Sequence, residues 1–381
     1  MGTQKEVNAY KRILAFDLLR GMFMAAIIVD HINWGPSLYY LLSGGGVLWV
    51  SPAEGFFAIS GILVGYTYGP RLKRSFRSAT KKLWKRAWLL YSLSIVFTLI
   101  YTTIALYSHS SALPPIWQRD GVSFIYNVLL ARYSYGWTDF LPRYAAFMFV
   151  APFILWFITR GKAWVVAAAS IGIWAIFHTT PLLLPFSSWE LIFIPAMIVG
   201  YHLPTIEQFV KQLPSKLRIA LTFSLRSVAG VTFATFIIIQ VVLPMVGMPS
   251  SLSHLPLSTQ MLFDKETIGI GRFALGVVWF WALYSVVRNY EHSINRATRG
   301  IFEVIGKKSL YTYGIHGFII FTVTMLITPP TGVTVLQSTV FSTIILCVIY
   351  IAAISLTLAK WLDYQYHRYL MRRLLRYNQA L

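Results

Sequence analysis

Residues Phe16–Gly35 read FDLLRGMFMAAIIVDHINWG. About 20 mostly apolar residues suffice to cross a bilayer as a helix, and this stretch is long enough. Yet it carries Asp17, Arg20, Asp30 and His31. A charged side chain at the centre of a membrane helix costs about 2.5–3.5 kcal/mol on insertion scales, so each of the four needs a reason. Helical periodicity sorts them. Arg20 and His31 are eleven residues apart, three turns and about 16 Å along the axis, and share one face. Asp17, three residues before Arg20, joins that stripe. Asp30 neighbours His31 and points about 100° away.

The rest of the chain fits a membrane protein. Its 381 residues are 56% hydrophobic and only 12% charged, with a mean hydropathy of +0.61; soluble domains carry about 25% charged residues. Apolar runs at 13–32, 47–69, 83–106, 139–158, 163–178, 189–203, 227–246, 271–287, 309–327 and 335–359 predict a single all-α domain, a polytopic transmembrane helical bundle over 1–381. That gives about ten spans, or eight if 163–203, interrupted by Pro181 and Pro185, is a re-entrant hairpin. The one cysteine, Cys347, excludes an internal disulfide and a cysteine metal site. No metal and no tightly bound cofactor is expected.

A net charge of +20 first suggests nucleic acid. Its placement says otherwise. Of 33 Lys and Arg, 27 fall in 1–12, 70–86, 159–162, 204–226, 288–308 and 360–381. The alternate loops hold only Arg119, Arg132 and Lys265. This positive-inside bias predicts cytoplasmic N- and C-termini in a multi-pass cell-membrane protein. Contact with anionic lipid accounts for the basic loops and for the basic tail 360–381 without any nucleic acid. Between spans, SFIYNVLLARYSYGW (123–137) reads as a helix lying on the outer leaflet.

Other spans also carry ionisable groups. Glu54, in SPAEGFFAISGILVGYTYG, lies about seven residues in from the outer end, roughly 10 Å deep. The short loop between the first two spans makes His31 its expected partner. Glycines 55, 61, 65 and 69 form a small-residue stripe for close helix packing. Asp139 and Arg143 are spaced i,i+4 and can pair. Glu190 opens the sixth span, Arg272 the eighth, and His316 sits within the ninth. Plainer readings stand beside these: Asp17 with Arg20 as an interfacial anchor, Asp139 with Arg143 as a structural pair, His316 as a satisfied bundle histidine.

The Arg-x10-His spacing in DLLRGMFMAAIIVDH resembles the first span of the acyltransferase family 3 superfamily. SPAEGFFAISGILVGYTYG is similar to its second span, where an acidic residue precedes FFxxSG. DFLPRYAAFMFVAPFILW, SSWELIFIPAMIVG and KKSLYTYGIHGF resemble the OpgC-type branch, succinyltransferases of osmoregulated periplasmic glucans. The likeness is good over roughly 10–205 and thinner over 205–300.

The resemblance implies an integral membrane O-acyltransferase. Its donor would be cytoplasmic succinyl-CoA or acetyl-CoA, and its acceptor a hydroxyl of an extracytoplasmic glycan. By the family pattern, His31 is the essential catalytic residue and Arg20 is essential beside it. The chemistry fits. Arg71, Lys73, Arg74, Lys82 and Arg86, with Arg20 above them, would hold the phosphates of coenzyme A. The pantetheine arm would run up the stripe to His31. His31 would then take the acceptor's proton with Glu54 fixing its tautomer, or attack the thioester itself. Ser60 or Asn33 would stabilise the oxyanion. Asp30, Asp139, Arg143, Glu190 and His316 are candidates for the acceptor site. Expected partners are the bilayer, acyl-CoA and the glycan, and a homo-oligomer is compatible with the pattern. The competing class is a proton-coupled transporter of a sugar or lipid, since intramembrane Arg, His and Glu serve proton relays. Such transporters commonly show inverted repeats, and none is evident here. A non-enzymatic scaffold leaves Glu54 and the His31 register unexplained.

Overall fold

The computed structural model describes residues 12–32, 37–44, 48–108, 116, 120–178, 188–247, 261–327 and 332–355. Among them there is no strand. Each expected apolar run is helical: α1 (Leu14–Ile32), α2 (Pro52–Arg74), α3 (Phe76–Ser108), a short α4 (Gly121–Leu129) and α5 (Phe140–Thr159) come first. Then follow α6 (Ala163–His178), α7 (Glu190–Gln212), α8 (Ser215–Ile237, prolonged by a wide turn to Met245), α9 (Ile270–Ala297), α10 (Ile301–Lys307), α11 (Ser309–Leu326) and α12 (Val335–Ser355). Lipid offers no partner for a free amide or carbonyl, which is why apolar segments of this length close their bonds internally as helices.

Among the described residues, five helices are long and apolar enough to cross a membrane: Phe76–Tyr107, Gly136–Thr159, Ser215–Met245, Ile270–Ala297 and Val335–Ser355. α1 falls outside that set because its 19 residues include Asp17, Arg20 and Asp30. α7 corrects the expectation for 189–203. It runs 23 residues, about 34 Å at 1.5 Å per residue, which is long enough by itself to cross. It continues through Pro204 into 204–226, a segment that the charge pattern assigns to a loop. The helix expected within 123–137 appears as α4, which starts at Gly121 and ends at Leu129. Asp120 caps it, accepting from the Ser123 amide at 2.8 Å, and the Ser123 hydroxyl together with that amide holds the Asp120 carboxyl below its ordinary range. Pro181, Pro185, Lys5, Lys11, Asn33 and the tail 360–381 lie outside the described residues.

The core is a ring of helices around α1, α2, α5 and α7. α2 and α7 make the closest pair. A Cβ on Gly65 would collide with the Met197 carbonyl, and one on Gly200 with the Ile62 backbone, so the small-residue stripe does let the two backbones touch. α3 packs along α5, with Trp84 stacked on Phe149 at 5.2 Å. α10 and α11 lie against α1, and α9 packs on α8 and α1. α1 is therefore gripped from several sides, which fixes the rotation of its Arg20–His31 face.

Candidate active site

The charged residues of α1 part company as the periodicity predicts, but not with the predicted partners. Asp17 is buried at the first turn, where a carboxylate suits the helix dipole. It pairs with Arg12 rather than Arg20, its second oxygen accepting from Arg12 Nη2 at 2.9 Å. Asp30 lies toward Tyr40, off the stripe.

Arg20 lines a narrow slot with Phe56, Ser60, Arg86, Phe140, Tyr144, Ser309, Leu310 and Tyr313. Two guanidiniums thus share one enclosure. Arg20 lies 5.6 Å from the Phe56 ring centre and Arg86 5.8 Å from that of Tyr144. Neither has a carboxylate within ion-pair distance among the described residues. The Nε atoms of both are enclosed and make no hydrogen bond, as is the Ser60 hydroxyl. Arg86 bonds the Tyr144 side chain, but among the described residues no carboxylate balances the two charges, an arrangement that costs stability where it is enclosed. In this conformation it is closed to about 10 Å³, room for roughly one water.

Three turns along the same face stands His31. The expected His31–Glu54 pair does not form. His31 Nδ1 meets Nε2 of His316 on α11 at 2.9 Å, and its ring stacks on Trp137 with centroids 4.6 Å apart. His316 is fully buried, and its Nδ1 lies 2.5 Å from the Tyr313 carbonyl. The Tyr313 hydroxyl in turn donates to the Trp137 carbonyl. His31, His316, Tyr313 and Trp137 close a circuit directly above the arginine slot, which Tyr313 also lines.

Glu54 instead belongs to a helix start. Ser51 is the extended N-cap of α2 and Glu54 its third residue. The Ser51 hydroxyl donates to Glu54 Oε1 at 3.1 Å, and the Ser51 amide also bonds the carboxylate. The bond from the Ser51 amide to the Glu54 carboxylate is one half of a capping box; the Ser51 hydroxyl caps no backbone amide. Arg272 adds to these bonds, with Nε 2.7 Å and Nη2 2.5 Å from Oε1. Nη1 of Arg272 reaches the carbonyls of Phe263 (3.2 Å) and Leu48 (3.4 Å). The carboxylate is fully engaged at a helix junction and does not orient His31.

The remaining predicted residues divide. Asp139 and Arg143 pair at 3.2 Å, and Arg143 also faces Glu266 at 3.9 Å and stacks on Trp189 at 5.3 Å. Glu190 is buried between α7 and α6, accepting from Ser170 Oγ at 2.7 Å while its other oxygen has no partner. That contact sets it apart from the His31 circuit. His316, predicted among acceptor residues, is the partner of His31. Of the basic run, only Arg86 joins Arg20. Arg71, Lys73, Arg74 and Lys82 are exposed, Arg71 over Tyr68 (5.5 Å) and Lys73 over Tyr201 (5.4 Å). Ser60 lines the Arg20 slot. Tyr144, Ser309, Tyr313 and Trp137 were missed, because aromatics and serines in an apolar run carry no spacing signal of their own.

A larger crevice of about 950 Å³ opens on the opposite face of α1, past Met22, Ala25 and Val29. It is lined almost wholly by apolar groups. Its charged members are the closed Glu54–Arg272 pair and Arg226, which donates to the Ser285 hydroxyl and carbonyl; Tyr39, Cys347 and Tyr350 also line it. It is the bigger space, but its charged side chains are all engaged with one another or with Ser285.

Fold and site together define an all-helical protein with several helices apolar enough for a membrane, whose first helix carries Arg20 beside Arg86 and, three turns along the same face, His31 bonded to His316. No curated protein and no solved structure matches the chain at a significant level. A family does: the OpgC protein family matches residues 12–361, and the chain belongs to it. Membership suggests an OpgC-like membrane acyltransferase.

Proposed function

We propose that this protein is a multi-pass cell-membrane O-acyltransferase with both termini in the cytoplasm. It moves a succinyl or acetyl group from cytoplasmic acyl-CoA to a hydroxyl of an extracytoplasmic glycan. The observation that carries this reading is the enclosure of Arg20 with Arg86, without carboxylate partners among the described residues, with Arg20 three helical turns below His31 on one face of α1. A phosphorylated carrier with a long thin arm needs that layout: cations for its phosphates and a base at its far end.

The exposed Arg71, Lys73, Arg74 and Lys82 raise the local concentration of the anionic donor. Arg20 and Arg86 then hold it, and the arm parts Tyr313 and Phe140 to bring the thioester beside His31. His31 takes the acceptor's hydroxyl proton as the oxygen attacks the carbonyl carbon. The carbon–sulfur bond breaks, and the imidazolium returns the proton to the departing thiolate. Attack by His31 itself, with an acyl-histidine intermediate, uses the same atoms. Asp139 and Arg143 flank the route by which the glycan hydroxyl arrives.

Purified protein is incubated with labelled acyl-CoAs differing in length and charge, with and without glycan acceptor. One thioester is expected to be consumed and its acyl group transferred, and His31→Ala is expected to stop both. Unchanged transfer by His31→Ala, or no consumption of any thioester, overturns the reading.

A further inference from the structure

We infer that His316 is a positioning residue that holds His31 as its Nδ1–H tautomer and leaves Nε2 as the reactive atom. The inference rests on the acyl-transfer reading for its kinetic consequence, though not for its structural content.

The proton assignment follows from the circuit one bond at a time. His316 Nδ1 lies 2.5 Å from the Tyr313 carbonyl oxygen, with the Thr312 carbonyl also in reach. A carbonyl can only accept, so His316 carries its proton on Nδ1. In a neutral imidazole the other nitrogen is then an acceptor. His316 Nε2 faces His31 Nδ1 at 2.9 Å, and two acceptors would repel, so His31 Nδ1 holds the proton. His31 Nε2 is left with its lone pair and no partner among the described residues.

The rest of the circuit keeps both rings in place. Trp137 stacks on His31 at 4.6 Å, the two imidazoles lie 23° from parallel, and the Tyr313 hydroxyl ties Trp137 back to α11. His316 is wholly enclosed, so water cannot substitute for it. When His31 Nε2 takes the acceptor's proton, the Nδ1–H bond to His316 persists. His316 keeps its own proton on Tyr313, and no proton passes along the chain. His316 thus does what an orienting carboxylate does in a triad, while carrying no charge.

Substitutions separate the bond from the bulk. Gln places an amide oxygen where Nε2 was and can accept from His31. Asn reproduces the donor to Tyr313 but cannot reach His31. His316→Ala and His316→Asn are expected to lower kcat roughly 100-fold or more with the donor KM within about threefold, and His316→Gln to recover most of kcat. In ¹⁵N-histidine-labelled wild type, with His31→Ala used for assignment, the His31 signals are expected to report Nδ1–H. In His316→Ala they should shift to Nε2–H. An Nε2–H tautomer in wild-type protein overturns the inference, as does full kcat in His316→Ala with the protein folded. If His316→Gln fails to fold, the wild-type spectrum decides alone. If wild type transfers no acyl group, the proposed function fails while the spectrum still tests the tautomer.

Discussion

Arg272 Nε donates to Glu54 Oε1 across 2.7 Å and joins the start of α9 to the start of α2. Both side chains are almost wholly enclosed, at 4% and 6% exposure. Removing one member of such a pair strands the other charge, at a cost of about 3–5 kcal/mol. Arg272→Ala should therefore melt well below wild type in detergent. Pairing Arg272→Met with Glu54→Gln should recover most of the loss. If Arg272→Ala kept its melting temperature and lost only catalysis, the pair would be catalytic after all.

Arg20 and Arg86 should act on donor binding. Hydrogen bonds to charged groups are worth about 1.5–3 kcal/mol, so Arg20→Ala or Arg86→Ala should raise the donor KM roughly 10- to 100-fold. Lys82→Ala and Arg74→Ala, exposed, should change it only a few-fold at low salt and less at high salt. Steady-state kinetics across ionic strength separates the two groups. Equal effects from all four would sink the slot as the donor site.

The α2–α7 contact depends on bare backbone. Gly65→Val drives a branched side chain into the Met197 carbonyl and should abolish recovery of folded protein in membranes. Gly172→Ala on α6 meets nothing within 4 Å and should be neutral, or stabilising by up to about 1 kcal/mol from helix propensity. Fluorescence-detected size exclusion reads both.

The topology is open to thiol labelling. In a Cys347→Ala background, an impermeant maleimide applied to intact cells should modify Lys265→Cys but not Arg74→Cys. Permeabilised cells should give both. Labelling of Arg74→Cys in intact cells would invert the proposed orientation.

Much of the site was already spelled out in the chain. The register of Arg20 with His31 survived because it depends only on helix geometry, and one helix does form from Leu14 to Ile32. Glu54 shows the opposite case. Its depth suggested a catalytic acid, yet in the structure Ser51-Pro52-Ala53-Glu54 opens a helix, with proline at the first helical position and the Ser51 amide bonded to the Glu54 carboxylate. Arg272 stood in plain view at the start of its span, but nothing local says that it reaches Glu54, 218 residues away. Trp137 and Tyr313 were invisible as site residues, since an aromatic in a membrane span needs no special reason.

The sequence by itself determined the helices, their single fold class and the face that Arg20 shares with His31. In lipid each backbone must close its own hydrogen bonds, so apolar length and 3.6-residue periodicity are enough. Only the tertiary structure decided the partners: His31 with His316, Arg20 with Arg86, Glu54 with Arg272. Pairing across helices depends on how each helix is rotated and how far it slides. Those two quantities are set by contacts such as Gly65 against Met197 and Gly306 against the Asp17 carbonyl, which belong to no single stretch of the chain.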